Sequence, residues 1–151
     1  MSGVTFNLSS VFGTVAEAIG DQTLLVWRDR RFSYAQFDAR VDGFAHFLAE
    51  AGLGCHTERD ALGGHQSGQD HLGIYLRNGN EYLETMIGAY RARVAPFNVS
   101  YRYVEEELLY IFTNSDMVAC IHNEEFSQHI VAIKSGSPKL GSKSIGAGVS
   151  T

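Results

Sequence analysis

Apolar residues recur at helical spacing at Leu8, Phe12, Val15, Ala16 and Ile19, and Gly20 stands behind them as a stop. This predicts a short amphipathic helix. Thr23-Leu-Leu-Val-Trp27 then reads as a strand, Arg28 to Arg31 as a tight polar connection, and Phe32 as the start of a return strand, together a β-hairpin. Ser33 followed by Gln36 has the pattern of a capping box, with Phe37, Val41, Phe44, Ala45 and Leu48 as the buried face behind it and Gly52 as the end. From Gly54 to Asp70 periodicity disappears, and a long polar loop is expected.

His71 to Leu76 is a strand by its apolar run, and Asn78, with Glu81 three residues on, is expected to cap the next helix. Leu83, Met86, Ile87, Tyr90 and Val94 would be its inner face. Ala95 to Val99 is a short extended segment that Pro96 places at an edge or a strand start. Val104, Leu108, Ile111 and Phe112 mark a further helix, with Glu105, Glu106 and Glu107 favourable in its first turn, and Met117 to His122 a third strand of this half. Strand, helix, strand, helix, strand from 71 to 122 is the rhythm of right-handed crossovers. The expected fold class is α/β: a partial parallel sheet with βαβαβ crossovers, plus the N-terminal β-hairpin and helices.

Composition changes this picture at one place. All nine arginines lie between Arg28 and Arg102, and all three lysines at Lys134, Lys139 and Lys143. No acidic residue follows Glu125, and nine of the seventeen residues from Ser135 to Thr151 are Ser or Gly. Such a stretch buries too little apolar surface to offset its ordering entropy. Residues 1–128 are therefore expected to be the folded body and 129–151 a disordered tail.

The formal net charge of −5, without a basic stripe, argues against nucleic acid or an anionic membrane as partner. No apolar run approaches a membrane span, and residues 1–10 lack the pattern of a secretory signal. Cys55 and Cys120 do not make a disulfide framework, and a cytoplasmic protein is expected. The triplets starting at Asn7 and Asn98 are then chance matches to a glycosylation pattern.

The chemistry-bearing candidates are weak one by one. Cys55, His56, His65 and His71 match no paired metal-ligand spacing. Gly52-Leu-Gly54 lacks the strand before it and the third glycine that a dinucleotide fingerprint needs. Consecutive Glu105 to Glu107 point to different sides of a helix. The tyrosines at 75, 82, 90, 101, 103 and 110 are spaced for packing rather than for stacking bases. Asn78 follows a parallel strand, where α/β sheets place ligands, but capping alone would explain it. No residue is assigned a catalytic, cofactor-binding or metal role.

Tyr75-Leu-Arg-Asn-Gly-Asn-Glu-Tyr-Leu-Glu84, the run from Gly88 to Tyr103, and Glu107-Leu108 together resemble the N-terminal part of the AMP-forming acyl-CoA synthetases, the adenylate-forming ligases. Trp27 to Tyr34 is similar to that family's opening hairpin. Gly54 to Glu58 and Ser67 to Gly73 are similar to actinobacterial fatty-acid or steroid side-chain CoA ligases. The resemblance covers about residues 6 to 128 of the sequence. It implies activation of a carboxylate with ATP to an acyl-adenylate and then a CoA thioester, with ATP, Mg2+ and CoA as the cofactors of full-length members.

The family's nucleotide motifs lie downstream of the resembling part. Ser135-Gly-Ser-Pro-Lys139 does not supply its phosphate loop: Lys139 is followed by Leu140, no helix pattern follows, and the possible strand 129–133 before it is short. This chain alone is therefore expected to be catalytically incomplete and to take no cofactor. The alternative is a non-catalytic interaction module. It would dock on a separately encoded ligase remainder, or self-associate through an exposed sheet edge and an uncovered apolar face.

Overall fold

The computed structural model describes residues 7–134 and 146–149, the last four as backbone only. The element order is α1 (Leu8–Ala18), β1 (Thr23–Trp27), β2 (Arg30–Ser33), α2 (Tyr34–Glu50), β3 (His71–Tyr75), α3 (Asn80–Arg91), β4 (Ala95–Asn98), α4 (Glu105–Asn114), β5 (Met117–Asn123), α5 (Ser127–Lys134) and β6 (Gly146–Val149). β1 and β2 form an antiparallel hairpin, and the other strands form a parallel sheet in the order β4-β3-β5-β6. The α/β class and its crossovers are as the residue pattern implies.

β3 and β5 are buried on both faces, as parallel strands between helical layers must be. On one face Leu72, Ile74, Ala119 and Ile121 pack with Leu48, Leu53, Ala89 and Val94 beneath α2 and α3. On the other, Tyr75, Met117 and Cys120 pack with Leu108, Phe112, Phe126, Ile130 and Ile133 from α4 and α5. A third cluster, Phe32, Phe37 and Val41 with Phe12 and Leu25 against it, seats the hairpin and α1 on α2.

Several local expectations need correction. In α1 the inward residues are Ser9, Phe12 and Ala16, while Leu8 and Val15 are 67% and 38% exposed. The stripe is turned because Arg91 reaches in from α3 and donates to Ser9 Oγ at 2.9 Å. α3 begins at Asn80 behind an extended Gly79, so Asn78 does not cap it and no side chain does. Its fully buried residues are Asn80, Glu84, Thr85, Gly88 and Ala89; of the expected stripe, Met86 and Ile87 pack against the core and Val94 is buried just past the helix, whereas Leu83 is 41% exposed.

Gly88 explains the rotation of α3. A Cβ there would stand 2.8 Å from Phe44 Cδ1 and 3.2 Å from the Val41 carbonyl oxygen, so glycine lets α3 lie directly on α2. The short stretch 129–133, a possible strand by sequence, is helical within α5, where Ile130 and Ile133 face the core. Ser33 and Gln36 do form the capping box of α2, with bonds of 3.2 and 3.0 Å, and Gly52 follows it at φ +77°.

The expectation of disorder over 129–151 falls mostly on residues outside those described. Of the described part, 129–134 belongs to α5 and 146–149 pairs with β5 as β6. Ser135 to Lys139 lies outside the described residues. The expected uncovered sheet face is absent at β3 and β5, because α4 and α5 cover the side opposite α2 and α3.

Candidate functional site

A parallel sheet gathers the carboxyl ends of its strands along one edge, and connections there open a crevice. Here the ends of β3 and β5, the tip of the β1–β2 hairpin and the chain after β4 enclose a cleft of about 400 Å³. It is lined by Trp27 and Arg28 from the hairpin tip, Leu76, Arg77, Asn78 and Gly79 after β3, Glu81 on α3, Tyr101, and Asn123 and Glu125 after β5. Arg28 holds the left-handed turn position at φ +56°, which closes the hairpin in two residues and turns Trp27 toward the cleft.

Arg77 ties the two strand ends together. Its backbone N–H donates to Asn123 Oδ1 at 2.7 Å, and its guanidinium makes two bonds to Glu125, at 2.6 and 3.1 Å. The same guanidinium lies 5.0 Å from the Tyr101 ring centre and 5.4 Å from that of Phe126. By its hydrogen bond, Arg77 holds the Glu125 carboxyl below the usual carboxylate range. Arg30 pairs with Glu81 at 3.2 Å. Both carboxylates of the cleft are thus matched, and Arg28, over Trp27 at 5.5 Å, is its remaining charge among the described residues.

Asn78 therefore lies in the cleft, as its place after a parallel strand suggests, without the capping role its spacing implied. Arg77 and Asn123 were missed. The signal for Asn123 was available, since it ends the third strand of the crossover series as Asn78 follows the first.

The other candidates disperse. His56 Nε2 lies 2.6 Å from Asp70 Oδ2, and His71 Nδ1 2.6 Å from the Ser115 carbonyl oxygen. Among the described residues no three His, Cys, Asp or Glu side chains gather to hold a metal. The polar loop 54–70 is organised from within. Cys55 bridges Gln69, His56 N–H donates to Gly68 O at 2.7 Å, and Arg59 donates to the carbonyls of Gly63, Gly64 and Gln66. Its outer end is fixed by Glu58, which accepts two bonds from Arg93 at 2.8 and 2.7 Å.

Arg91 and Arg40 perform the same service between helices. Arg91 binds Asp38 at 2.6 Å and Asp42 at 2.5 Å, and Arg40 binds Glu84 at 2.6 and 2.9 Å. Cys120 is buried, and burial pushes its thiol up to about 12, so it is neither a nucleophile nor a ligand in the folded state. No described helix is long and apolar enough to cross a membrane.

Comparison with known proteins gives a consistent result. The profile of the family described as "AMP-binding enzyme" matches residues 12–147. The medium-chain acyl-CoA ligase Mig of Mycobacterium avium is 46% identical over 135 residues, which are 89% of this chain and 24% of that protein. The 3-oxocholest-4-en-26-oate–CoA ligase of Rhodococcus rhodochrous is 34% identical over 89% of this chain and 22% of its own length. The chain thus spans about a quarter of the relatives it matches.

Solved structures share the fold. The N-terminal domain of FACL13 from Mycobacterium tuberculosis superposes with a TM-score of 0.79 at 20% identity, over 95% of this chain and 34% of that one. A benzoate CoA ligase from Burkholderia xenovorans LB400 superposes with 0.78 at 16% identity, over 95% and 26%.

Proposed function

Because the chain belongs to the AMP-binding enzyme family, we propose that it is the N-terminal part of a ligase of fatty-acid metabolism and carries no adenylation by itself. The reading rests on one observation: 46% identity to a medium-chain acyl-CoA ligase runs over 89% of this chain but only 24% of that enzyme. A full-length enzyme of this kind would join a carboxylate to ATP's α-phosphate and pass the acyl group to CoA, with Mg2+ on the phosphates. Charge that develops on transferring phosphoryl oxygens has to be met by oriented donors and cations. The described cleft offers one unmatched cation, Arg28, and a few amides. That is too sparse a set to hold a triphosphate in line with a carboxylate.

The role proposed for these residues is structural. They build the first strands and both helical layers of the ligase core. Pyrophosphate exchange into ATP with medium-chain fatty acids, steroid side-chain acids or benzoate tests this. Exchange at the level of buffer alone is expected, and turnover above it refutes the proposal.

A second reading is a non-catalytic module that docks on a separately encoded ligase remainder. It draws support from α1, whose outer side carries Leu8, Val11 and Val15 at 67%, 48% and 38% exposure. Self-association through β4 is disfavoured. The N–H groups of Ala95 and Val99 face β3, so Pro96 stands at an outward position and removes a donor from that edge. Co-purification of this chain with the downstream part of a related ligase distinguishes the readings. Binding lost in Val11→Glu supports docking, and no binding at micromolar concentrations rejects it.

A further inference from the structure

We propose that Asn78 is a site of spontaneous covalent modification: the backbone nitrogen of Gly79 attacks its side-chain amide, closes a succinimide, and turns the asparagine into aspartate and isoaspartate. The proposal stands on the segment between β3 and α3 and does not depend on the family reading. Asn78 is the only one of the chain's six asparagines that precedes a glycine. Glycine brings no Cβ to crowd the attack. Both residues lie between the end of β3 at Tyr75 and the start of α3 at Asn80, so neither a ladder nor a helix holds their backbone. Asn78 is exposed, and water reaches it. Among the described residues neither its side-chain amide nor the Gly79 N–H makes a hydrogen bond.

The other asparagines are held. Asn7 Oδ1 accepts from the Ser10 N–H at 2.8 Å, Asn80 Nδ2 donates to Glu84 at 2.8 Å, and Asn123 Oδ1 accepts from the Arg77 N–H at 2.7 Å. Asn114 Nδ2 donates to the Tyr110 carbonyl at 2.8 Å, and the N–H behind it, that of Ser115, donates to Ile111 at 3.0 Å. Behind Asn98 stands the β-branched Val99, whose N–H donates to Ile74 at 3.0 Å. In each case the amide or the attacking nitrogen is already engaged.

The reaction needs only water and hydroxide. Hydroxide takes the Gly79 N–H proton, the nitrogen bonds to Asn78 Cγ, and the Cγ–Nδ2 bond breaks. The leaving nitrogen takes a proton from water and departs as ammonia. Water then opens the ring. Attack at Cγ gives aspartate, and attack at the main-chain carbonyl gives isoaspartate, whose main chain is one carbon longer. Either product places a new carboxylate in the cleft, between Arg77 and the uncapped first turn of α3. The longer main chain of isoaspartate pulls on the Arg77–Asn123 bond that joins the ends of β3 and β5. The conversion thus records the age of the chain at the cleft itself.

The test keeps the intact chain in warm, mildly alkaline buffer and digests samples with trypsin at intervals. Fragmentation of the peptide from Asn78 to Arg91 in a mass spectrometer tells Asn78 from Asn80. A gain of about 1 Da is expected at Asn78 first, at least about tenfold faster than at Asn114, with isoaspartate reported by enzymatic methylation.

Gly79 is extended at φ −177°, which alanine also adopts, and an added Cβ would meet the movable end of Glu81 at 2.9 Å and the Trp27 indole nitrogen at 3.6 Å. Gly79→Ala should slow the conversion at least about tenfold with circular dichroism unchanged, because a barrier raised by a methyl group enters the rate exponentially. If that variant does not fold, Asn78→Gln on the exposed side serves in its place and should lose the gain at that position. No gain at Asn78 in the native chain overturns the proposal. So does an equal rate at Asn114, or an undiminished rate in a folded variant.

Discussion

Arg40 and Glu84 join α2 to α3 where both helices need their closest contact, and removing the arginine tests how that contact is held. The Glu84 side chain is 10% exposed, accepts from Arg40 Nε at 2.6 Å and Nη2 at 2.9 Å, and accepts from Asn80 Nδ2 at 2.8 Å. Arg40→Ala leaves the carboxylate with the Asn80 amide alone. Stranding a fully buried charge costs about 3–5 kcal/mol, and breaking an exposed pair about 0–1 kcal/mol. Arg40 is 42% exposed, so water reaches one side of the pair and the expected loss lies between, at about 2 kcal/mol. Glu84→Gln keeps an oxygen for Asn80 and leaves Arg40 free to turn to solvent, for a loss of about 1 kcal/mol.

The double variant has no stranded charge and should lose about 1.5 kcal/mol rather than the sum of about 3, a coupling of about 1.5 kcal/mol. Urea unfolding followed by Trp27 fluorescence and far-ultraviolet circular dichroism measures all four proteins. Additivity within about 0.3 kcal/mol would refute the reasoning. It would mean that water already carries the pair and that packing alone holds α2 on α3.

Gly88→Ala should cost about 1–3 kcal/mol, because the added methyl meets Phe44 and the Val41 carbonyl at less than contact distance; a neutral substitution would mean that α3 does not lie this close. Ile133, 3% exposed, should cost about 2–4 kcal/mol as Ile133→Ala in the same unfolding assay, whereas a residue outside the fold would cost nothing. Cys120 should resist a thiol reagent at pH 8 in the native protein while half-exposed Cys55 reacts, and unfolding should release the second thiol. The same burial sets a pH dependence: the unfolded chain gives up the Cys120 proton near pH 8.5, and the folded one only at about 12. Stability is therefore unaffected by this group below about pH 8.5 and falls as pH rises from there toward 12. A stability curve flat from pH 8 to 11 would contradict it.

Where side chains obey a single period, the fold could be read from the chain. The α2 stripe through Phe37, Val41, Ala45 and Leu48, its Ser33–Gln36 cap and the strands at 71 and 117 all appear at their expected places. The reading failed where tertiary partners override the local signal. In α3 a buried polar pair, Asn80 and Glu84, takes the inner side where Leu83 was expected, because Arg40 arrives from a helix 44 residues away in sequence, while Met86 and Ile87 keep their places against the core. Asn78 has the spacing of a cap, but the chain enters the helix one residue later, through Gly79 under Trp27. α5 reads as a strand because His129 to Ile133 is short and β-branched, yet Ile130 and Ile133 bury together only at a helical spacing of three. The cleft was half visible. Asn78 stood out from topology, whereas Asn123 and Arg77 matter through a bond across 46 residues that no local pattern encodes.

The two-sided covering of β3 and β5 has a consequence for the order of events during synthesis. By the time residue 134 leaves the ribosome, the apolar faces of both central strands already have their helices. The sheet border at β4 carries a proline where an unwanted neighbour would seek a donor. Residues 8–134 can thus reach a finished two-sided shape before the strand that follows them is made. That strand, β6, joins at the border opposite β4, beside β5.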